Sequence, residues 1–287
     1  MHVTFLMQSY KRPSSVVRGS QISAYLEDSS VCTYDDMMRK LPKERSIIVV
    51  IKNHNTDIAG ILKGMGHIIV YDVVDAPTYN YDERSYRDFN IYDAVIATSL
   101  KSAASIQERA TKTKVIAIPH HSMNFENNVN PIREENLLVG YIGGFSHNNH
   151  IEKLQSMIRA RGARFEVINP TTREECVKAY QNYDISFSYT DSQKNRELKP
   201  NEKLTNGQSF GVPMVCSPHQ SYIEYGGQAG DSWLVADTGD QFVQGVEELI
   251  VNSTLRTKIR TAGLAAAEPL HVSKVAKMYD ELRRNFT

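Results

Sequence analysis

The sequence predicts an α/β protein built from two doubly wound parallel sheets that face each other. Three observations carry that expectation. Short runs rich in Val and Ile alternate with longer amphipathic stretches, as doubly buried parallel strands alternate with their covering helices. The alternation stops at 119–135, a stretch rich in Asn and Pro with little periodicity, and then restarts. The chain has 287 residues, 41% hydrophobic and 23% charged, an ordinary globular composition long enough for two cores without disulfide or metal staples.

In chain order, the first half reads as strands at 2–7, 30–34, 47–51, 67–72, 93–97 and 115–118. Helices are expected at about 18–27, 36–41, 56–64 and 99–110. The second half opens with a strand at 137–142 that ends in Gly143-Gly144. Further strands follow at 165–168, 184–189, 213–216 and 233–235. Helices are expected at 150–161, 173–182, 201–210, 220–225, 239–252, 253–267 and 271–284. The expected organisation is therefore a first domain over 1–130, a second over 131–270, and a closing helix within 271–287 that crosses back to the first. Ligands of open parallel sheets bind at the strand C-terminal ends, so the cleft between the halves is the expected small-molecule site.

Charge narrows the function classes. Lys plus Arg number 33 and Asp plus Glu number 33, so the chain is formally neutral, a poor balance for nucleic-acid binding. Cys32, Cys176 and Cys216 form no CxxC pair and read as thiols in a reducing, cytoplasmic setting. No apolar run reaches the length of a membrane span, and the short run at 2–7 lacks a charged segment before it, so it reads as a strand and not a signal peptide. The basic run from Arg39 to Arg45 offers peripheral contact with anionic lipid, although a solvated surface is the expected outcome for such a run. No zinc-type spacing of His and Cys appears, and no Asp-x-Asp follows a strand, so no metal is expected.

The most informative segment runs from Arg196 through Lys199, Glu202, Lys203 and Asn206 to Gly211 and Pro213. It reads as a cationic loop, a helix with Pro200 at its first position, and a strand opened by Pro213. A helix N-terminus flanked by cations is an anion site, and Asn206, three residues past Lys203, shares its face. Those groups suit a diphosphate joined to a ribose. Gly143 and Gly144 after a buried strand allow backbone to approach a ligand closely.

This segment resembles the donor motif of GT-B glycosyltransferases, of the type KPxxKLxEAxxxGxPVV. Lys199, Pro200, Lys203, Leu204, Gly211, Pro213 and Val215 match it. The resemblance implies two Rossmann-like domains, a nucleotide-diphosphate sugar as donor substrate with no further cofactor, and donor contacts at Gly143, Gly144, Arg196, Lys199, Glu202, Lys203 and Asn206. Asn206 stands where the family usually has a ribose-binding glutamate, and Leu198 where many retaining members have a glutamate. The segments around Asp72 and Asp75, at 93–99, and at 115–121 are similar to the acceptor domain of the same family. On that likeness, Asp75 and His121 are the catalytic candidates, and Arg18 and Gln21 open an acceptor-side helix. The implied activity is transfer of a sugar to the hydroxyl of a glycan, lipid-linked or small-molecule acceptor in glycan biosynthesis, with retention favoured over inversion. A nucleotide-sugar epimerase of the same fold and a non-catalytic two-domain binding protein are the alternatives.

Overall fold

A computed structural model describes residues 1–74, 89–144, 150–191 and 199–286. The chain forms two compact units. One comprises Met1–His120 together with Val272–Thr287, and the other His121–His271.

The first unit is an all-parallel sheet of β1 (Val3–Met7), β2 (Ser29–Thr33), β3 (Ile47–Ile51), β4 (Ile68–Asp72), β5 (Ala94–Ala97) and β6 (Lys114–Ala117). Its order is β2-β1-β3-β4-β5-β6. Every residue of β3 and β4 is buried, which is why both read as unbroken apolar runs. Winding runs outward from β1 to β2 and then reverses to β3, so the ligand crevice of such a sheet lies at the C-terminal ends of β1 and β3.

Local capping sets the helices of this unit. Asn55 accepts from the Ile58 amide at 3.1 Å to start Thr56–Gly64, and Ser99 accepts from Ser102 at 3.1 Å to start Leu100–Gln107. Thr33 and Asp36 form a capping box on Tyr34–Arg39. The first helical run differs from expectation, spanning 13–23 instead of 18–27. Pro13 supplies an early start, and a π turn at Val16–Ser20 continues it. Gly19 is what lets that turn sit on the sheet edge. A Cβ there would lie 2.6 Å from Met7 Sδ and 2.9 Å from Ile51 Cδ1, at the ends of β1 and β3.

The last helix, Val272–Arg284, belongs to this unit. Tyr279 packs edge-on against Phe5, with ring centroids 5.6 Å apart. Its hydroxyl donates to Asp72 Oδ2 at 2.7 Å, and Arg18 Nε donates to the same oxygen at 2.8 Å.

The second unit is another parallel sheet: β7 (Leu138–Ile142), β8 (Arg164–Ile168), β9 (Ile185–Ser188), β10 (Met214–Cys216) and β11 (Leu234–Val235), in the order β11-β10-β9-β7-β8. Here the winding reverses between β7 and β9. Capping boxes Thr172/Glu175 and Thr238/Gln241 start the helices Arg173–Asn182 and Gly239–Val251.

The boundary expected at 130/131 lies instead at 120/121. The reason is side-chain amides, which carry no periodic signal. Asn124 Nδ2 donates to the Ser209 carbonyl at 2.7 Å, and Asn130 Nδ2 to those of Tyr180 and Tyr183 at 2.7 and 3.1 Å. Arg173 donates to the Met123 carbonyl through Nε and Nη2 and lies 3.9 Å over the Phe125 ring. The stretch expected as a linker is thus sewn into the second unit.

Candidate functional site

The C-terminal ends of β7 and β9, where the second sheet reverses its winding, bring together Gly143 and Lys203, two of the sequence-predicted donor residues. β7 delivers Gly143 at φ +127°, a conformation that L side chains rarely adopt, and its amide donates to the Ile168 carbonyl at 2.8 Å. The helix Glu202–Ser209 is the next described helix after β9. It lies tightly on β10, since a Cβ at Gly207 would come within 2.3 Å of Met214 Sδ. The expected helix start at Pro200 moves to Glu202, with Asn201 as N-cap residue. Asn201 makes no side-chain cap; its amide donates to Thr205 Oγ1 at 2.8 Å. The first turn of this helix therefore reaches the strand-end edge without a capping side chain.

Lys203 joins the two elements. A Cβ built on Gly143 would lie 3.1 Å from its ammonium, so the glycine loop and the lysine meet. Lys203 Nζ donates to the Tyr141 hydroxyl at 2.7 Å and lies 4.2 Å from that ring's centre. No described carboxylate pairs with it. Tyr141, which sequence reasoning missed, stands two residues before Gly143 and so on the same face of β7, and it stacks on Phe187 at 5.0 Å. Gly144 is exposed, and a Cβ there would meet nothing within 4 Å. Lys199 is exposed and Glu202 half-buried; the Lys199 carbonyl accepts from Ser221 Oγ at 2.6 Å. Lys203, in the first turn of the helix Glu202–Ser209, and Gly143 thus meet at one edge of the sheet.

Several expected residues stand elsewhere. Asn206 is 3% exposed and its carbonyl oxygen accepts from the Met123 amide at 2.8 Å, so the group expected on a ribose is spent inside the fold. His121 is 1% exposed, and its Nδ1 donates to the Ser122 carbonyl at 2.8 Å. An enclosed ring has no face for a substrate, and the catalytic assignment is withdrawn for it. Arg18 is fully buried rather than open to an acceptor. Asp72 and the Pro119 carbonyl hold it, the latter at 2.7 Å from Nη1. Burial opposes its charge, and Asp72 and Tyr279 together outweigh that and hold its pKa above the usual arginine value. Gln21 is also buried. Asp75 and Arg196 lie outside the described residues. Beside the site, Tyr189 OH donates to Asp191 at 2.5 Å, with His150 Nε2 3.7 Å from that carboxylate, a grouping the sequence did not signal.

Two paired doubly wound parallel sheets define the class: this is the GT-B fold. Residues 139–276 match the family model described as glycosyl transferase-like, which spans most of the second unit. No curated protein matches the chain by sequence. Among solved structures, Anabaena HepE in complex with UDP and glucose is similar over 99% of this chain and 100% of its own, at 13% identity and a TM-score of 0.64. A trehalose-6-phosphate synthase, studied for glycosyl transfer with retention, is similar over 87% of this chain and 76% of its own, at 8% identity and a TM-score of 0.64. A variant of S. aureus TarM in complex with fondaparinux, α-GlcNAc-glycerol and UDP is similar over 83% and 55%, at 11% identity and a TM-score of 0.60. The likeness to these structures shows the GT-B fold for the chain, and the family match shows glycosyl transferase-like sequence over residues 139–276. No helix among the described residues is long and apolar enough to cross a membrane.

Proposed function

We propose that this protein is a glycosyltransferase that takes its sugar from a nucleoside-diphosphate donor bound to the second unit and passes it to an acceptor hydroxyl with retention of configuration. The observation that carries the reading is the meeting of Lys203 with the Gly143 loop at the reversal point of the second sheet. Lys203 contacts the diphosphate, Lys199 adds a second charge, and the open Gly144 backbone lets phosphate oxygens approach. Glu202 lines the same turn, and Arg196, in the adjoining segment of the motif, completes the donor set.

These groups serve the reaction by stabilising charge as it forms. The bond between the sugar's anomeric carbon and the diphosphate oxygen breaks, and negative charge collects on the leaving phosphate. Lys203 and the helix start neutralise it without a metal ion. The acceptor oxygen forms the new bond on the face the phosphate leaves, and its proton passes to a phosphate oxygen, so no separate protein base is required. Asp75 remains the carboxylate candidate should the chemistry be inverting. UDP among the ligands of HepE and TarM and the retention studied in trehalose-6-phosphate synthase support this choice of donor and outcome.

Titration calorimetry with UDP tests it. UDP should bind, and Lys203→Ala should weaken binding by roughly 10- to 100-fold, the worth of a charge-assisted hydrogen bond. Absence of UDP binding, or unchanged affinity in the variant, refutes the donor site. Incubation with a labelled UDP-sugar then separates transfer from epimerisation or mere binding.

A further inference from the structure

The second sheet leaves one of its edges open. Of the four edge strands of the two sheets, β8 is the most exposed. Arg164, Glu166 and Val167 face solvent there, three of its five residues, against none in β2 and one each in β6 and β11. Val167 is an apolar side chain left 39% exposed. An edge strand with unpaired amides and carbonyls is a template for another strand.

The ladder shows which groups are unpaired. The Arg164 amide donates to the Leu137 carbonyl at 2.8 Å, and the Ile168 carbonyl accepts from the Gly143 amide at 2.8 Å. Pairing with β7 therefore uses the backbone of Arg164, Glu166 and Ile168, and Phe165 and Val167 turn their amides and carbonyls outward. The side chains of Arg164, Glu166 and Ile168 share one face of the sheet, and those of Phe165 and Val167 the other. Arg164 reaches the Asn136 carbonyl at 3.5 Å, and neither it nor Glu166 is ion-paired with a described residue.

We propose that β8 pairs antiparallel with β8 of a second copy of this chain, about a two-fold axis through Phe165, joining two five-stranded sheets edge to edge. Charge complementarity selects both the partner and the register. A two-fold axis perpendicular to the sheet sets residues of the same face opposite each other, so it passes through a residue and not between two. With the axis at Phe165, its outward amide and carbonyl bond those of the partner's Phe165, and Ala163 lies opposite the partner's Val167 in the next such pair. Arg164 then stands opposite the partner's Glu166, and Glu166 opposite the partner's Arg164, in the closer pairs that carry no backbone bonds. An axis at Arg164 or at Glu166 would instead set like charges opposite each other. Charges on an edge strand ordinarily repel a second strand, and opposite signs two residues apart reverse that effect. A groove of about 370 Å³, lined by Glu166, Ile168, Glu175 and Lys178, opens on the same face and gives the partner's Arg164 room beside Glu166.

Sedimentation of the full chain at about 1 to 100 μM tests the pairing. A reversible monomer–dimer equilibrium is expected, weaker at high salt. Arg164→Glu and Glu166→Arg should each weaken the dimer by roughly 10-fold or more, since each sets like charges face to face. Combining the two reversals should recover most of that loss, which a folding defect would not do. Val167→Pro removes an outward amide and no bond to β7, and it should abolish the dimer. The unfolding transition of Trp233, buried in the second unit, should stay unchanged in the charge variants and so report a folded protein. A monomer at every concentration overturns the proposal and leaves the edge to a strand of some other protein. So does a dimer that survives both single reversals or Val167→Pro, or one that the combined reversal fails to restore.

Discussion

Replacing Asp72 with asparagine should unfold the first unit far more easily than any surface change. Asp72 and Arg18 are each 0% exposed, and their contact is 2.8 Å. With the carboxylate neutralised, Arg18 keeps a buried charge with no partner of opposite sign. Breaking a buried pair in this way costs about 3–5 kcal/mol. At roughly 4 °C per kcal/mol for a unit of this size, the melting point should fall by about 12–20 °C. Tyr279→Phe removes only one hydrogen bond to the same oxygen and should cost about 1.5–3 kcal/mol. Because both changes act on Oδ2, the double variant should lose less than the two single losses combined. The single tryptophan, Trp233, is fully buried in the second unit, so its fluorescence follows that unit alone, whereas far-UV circular dichroism follows both. In Asp72→Asn the dichroism should begin to fall well before the fluorescence changes. A loss under 1 kcal/mol, or coincident early transitions in both signals, would refute this account of the pair.

Other outcomes follow from the second unit and from one part-buried thiol in each unit. Gly143→Ala forces a side chain into φ +127° and within 3.1 Å of the Lys203 ammonium, so it should cost about 1–3 kcal/mol and weaken UDP binding together, read by denaturation and calorimetry. Asn130→Ala strips two carbonyls of their donor and should destabilise the second unit by about 1–3 kcal/mol, seen in Trp233 fluorescence. Burial raises the Cys32 and Cys176 thiols to about 11, with nearby carboxylates adding to it, so both should react with a disulfide reagent at pH 8 roughly 100-fold more slowly than a free cysteine. The same shifts set a sign for alkaline stability. Groups that hold their protons more tightly when folded stabilise the protein below the unfolded pKa and cease to do so as pH rises through the folded value. Melting points should therefore decline from about pH 9 to pH 11.

Most of the secondary structure was legible because its signals are local. Thr56–Gly64, Arg173–Asn182, Gln220–Tyr225 and Ser253–Ala267 stand at the expected residues, the first two and the last marked by Asn or Thr caps. Val/Ile runs located β3 and β4 because strands covered on both faces need no polar alternation. The domain boundary was missed because amides at Asn124 and Asn130 act on carbonyls about 50 to 85 residues away. The donor motif gave the neighbourhood of Gly143 and Lys203 but misassigned Asn206, whose type suits a ribose hydroxyl and a backbone amide equally well. Arg18 was misplaced for a related reason. A lone arginine on a helix is usually solvated, and its buried partners Asp72 and Tyr279 are remote in sequence.

The two units also differ in how they are spelled along the chain. The second is one continuous segment whose ends meet: the Ser122 amide donates to the Leu270 carbonyl at 2.8 Å, and His271 Nε2 to the Phe125 carbonyl at 3.1 Å. It is complete once His271 has been synthesised. The first unit is split around it and lacks Tyr279, the donor to its buried Asp72, until the helix Val272–Arg284 is made. On a translating ribosome the order of maturation is therefore inverted. The unit whose strands come first in the chain is the last to close, and the second unit can be folded while the first still waits for the helix Val272–Arg284.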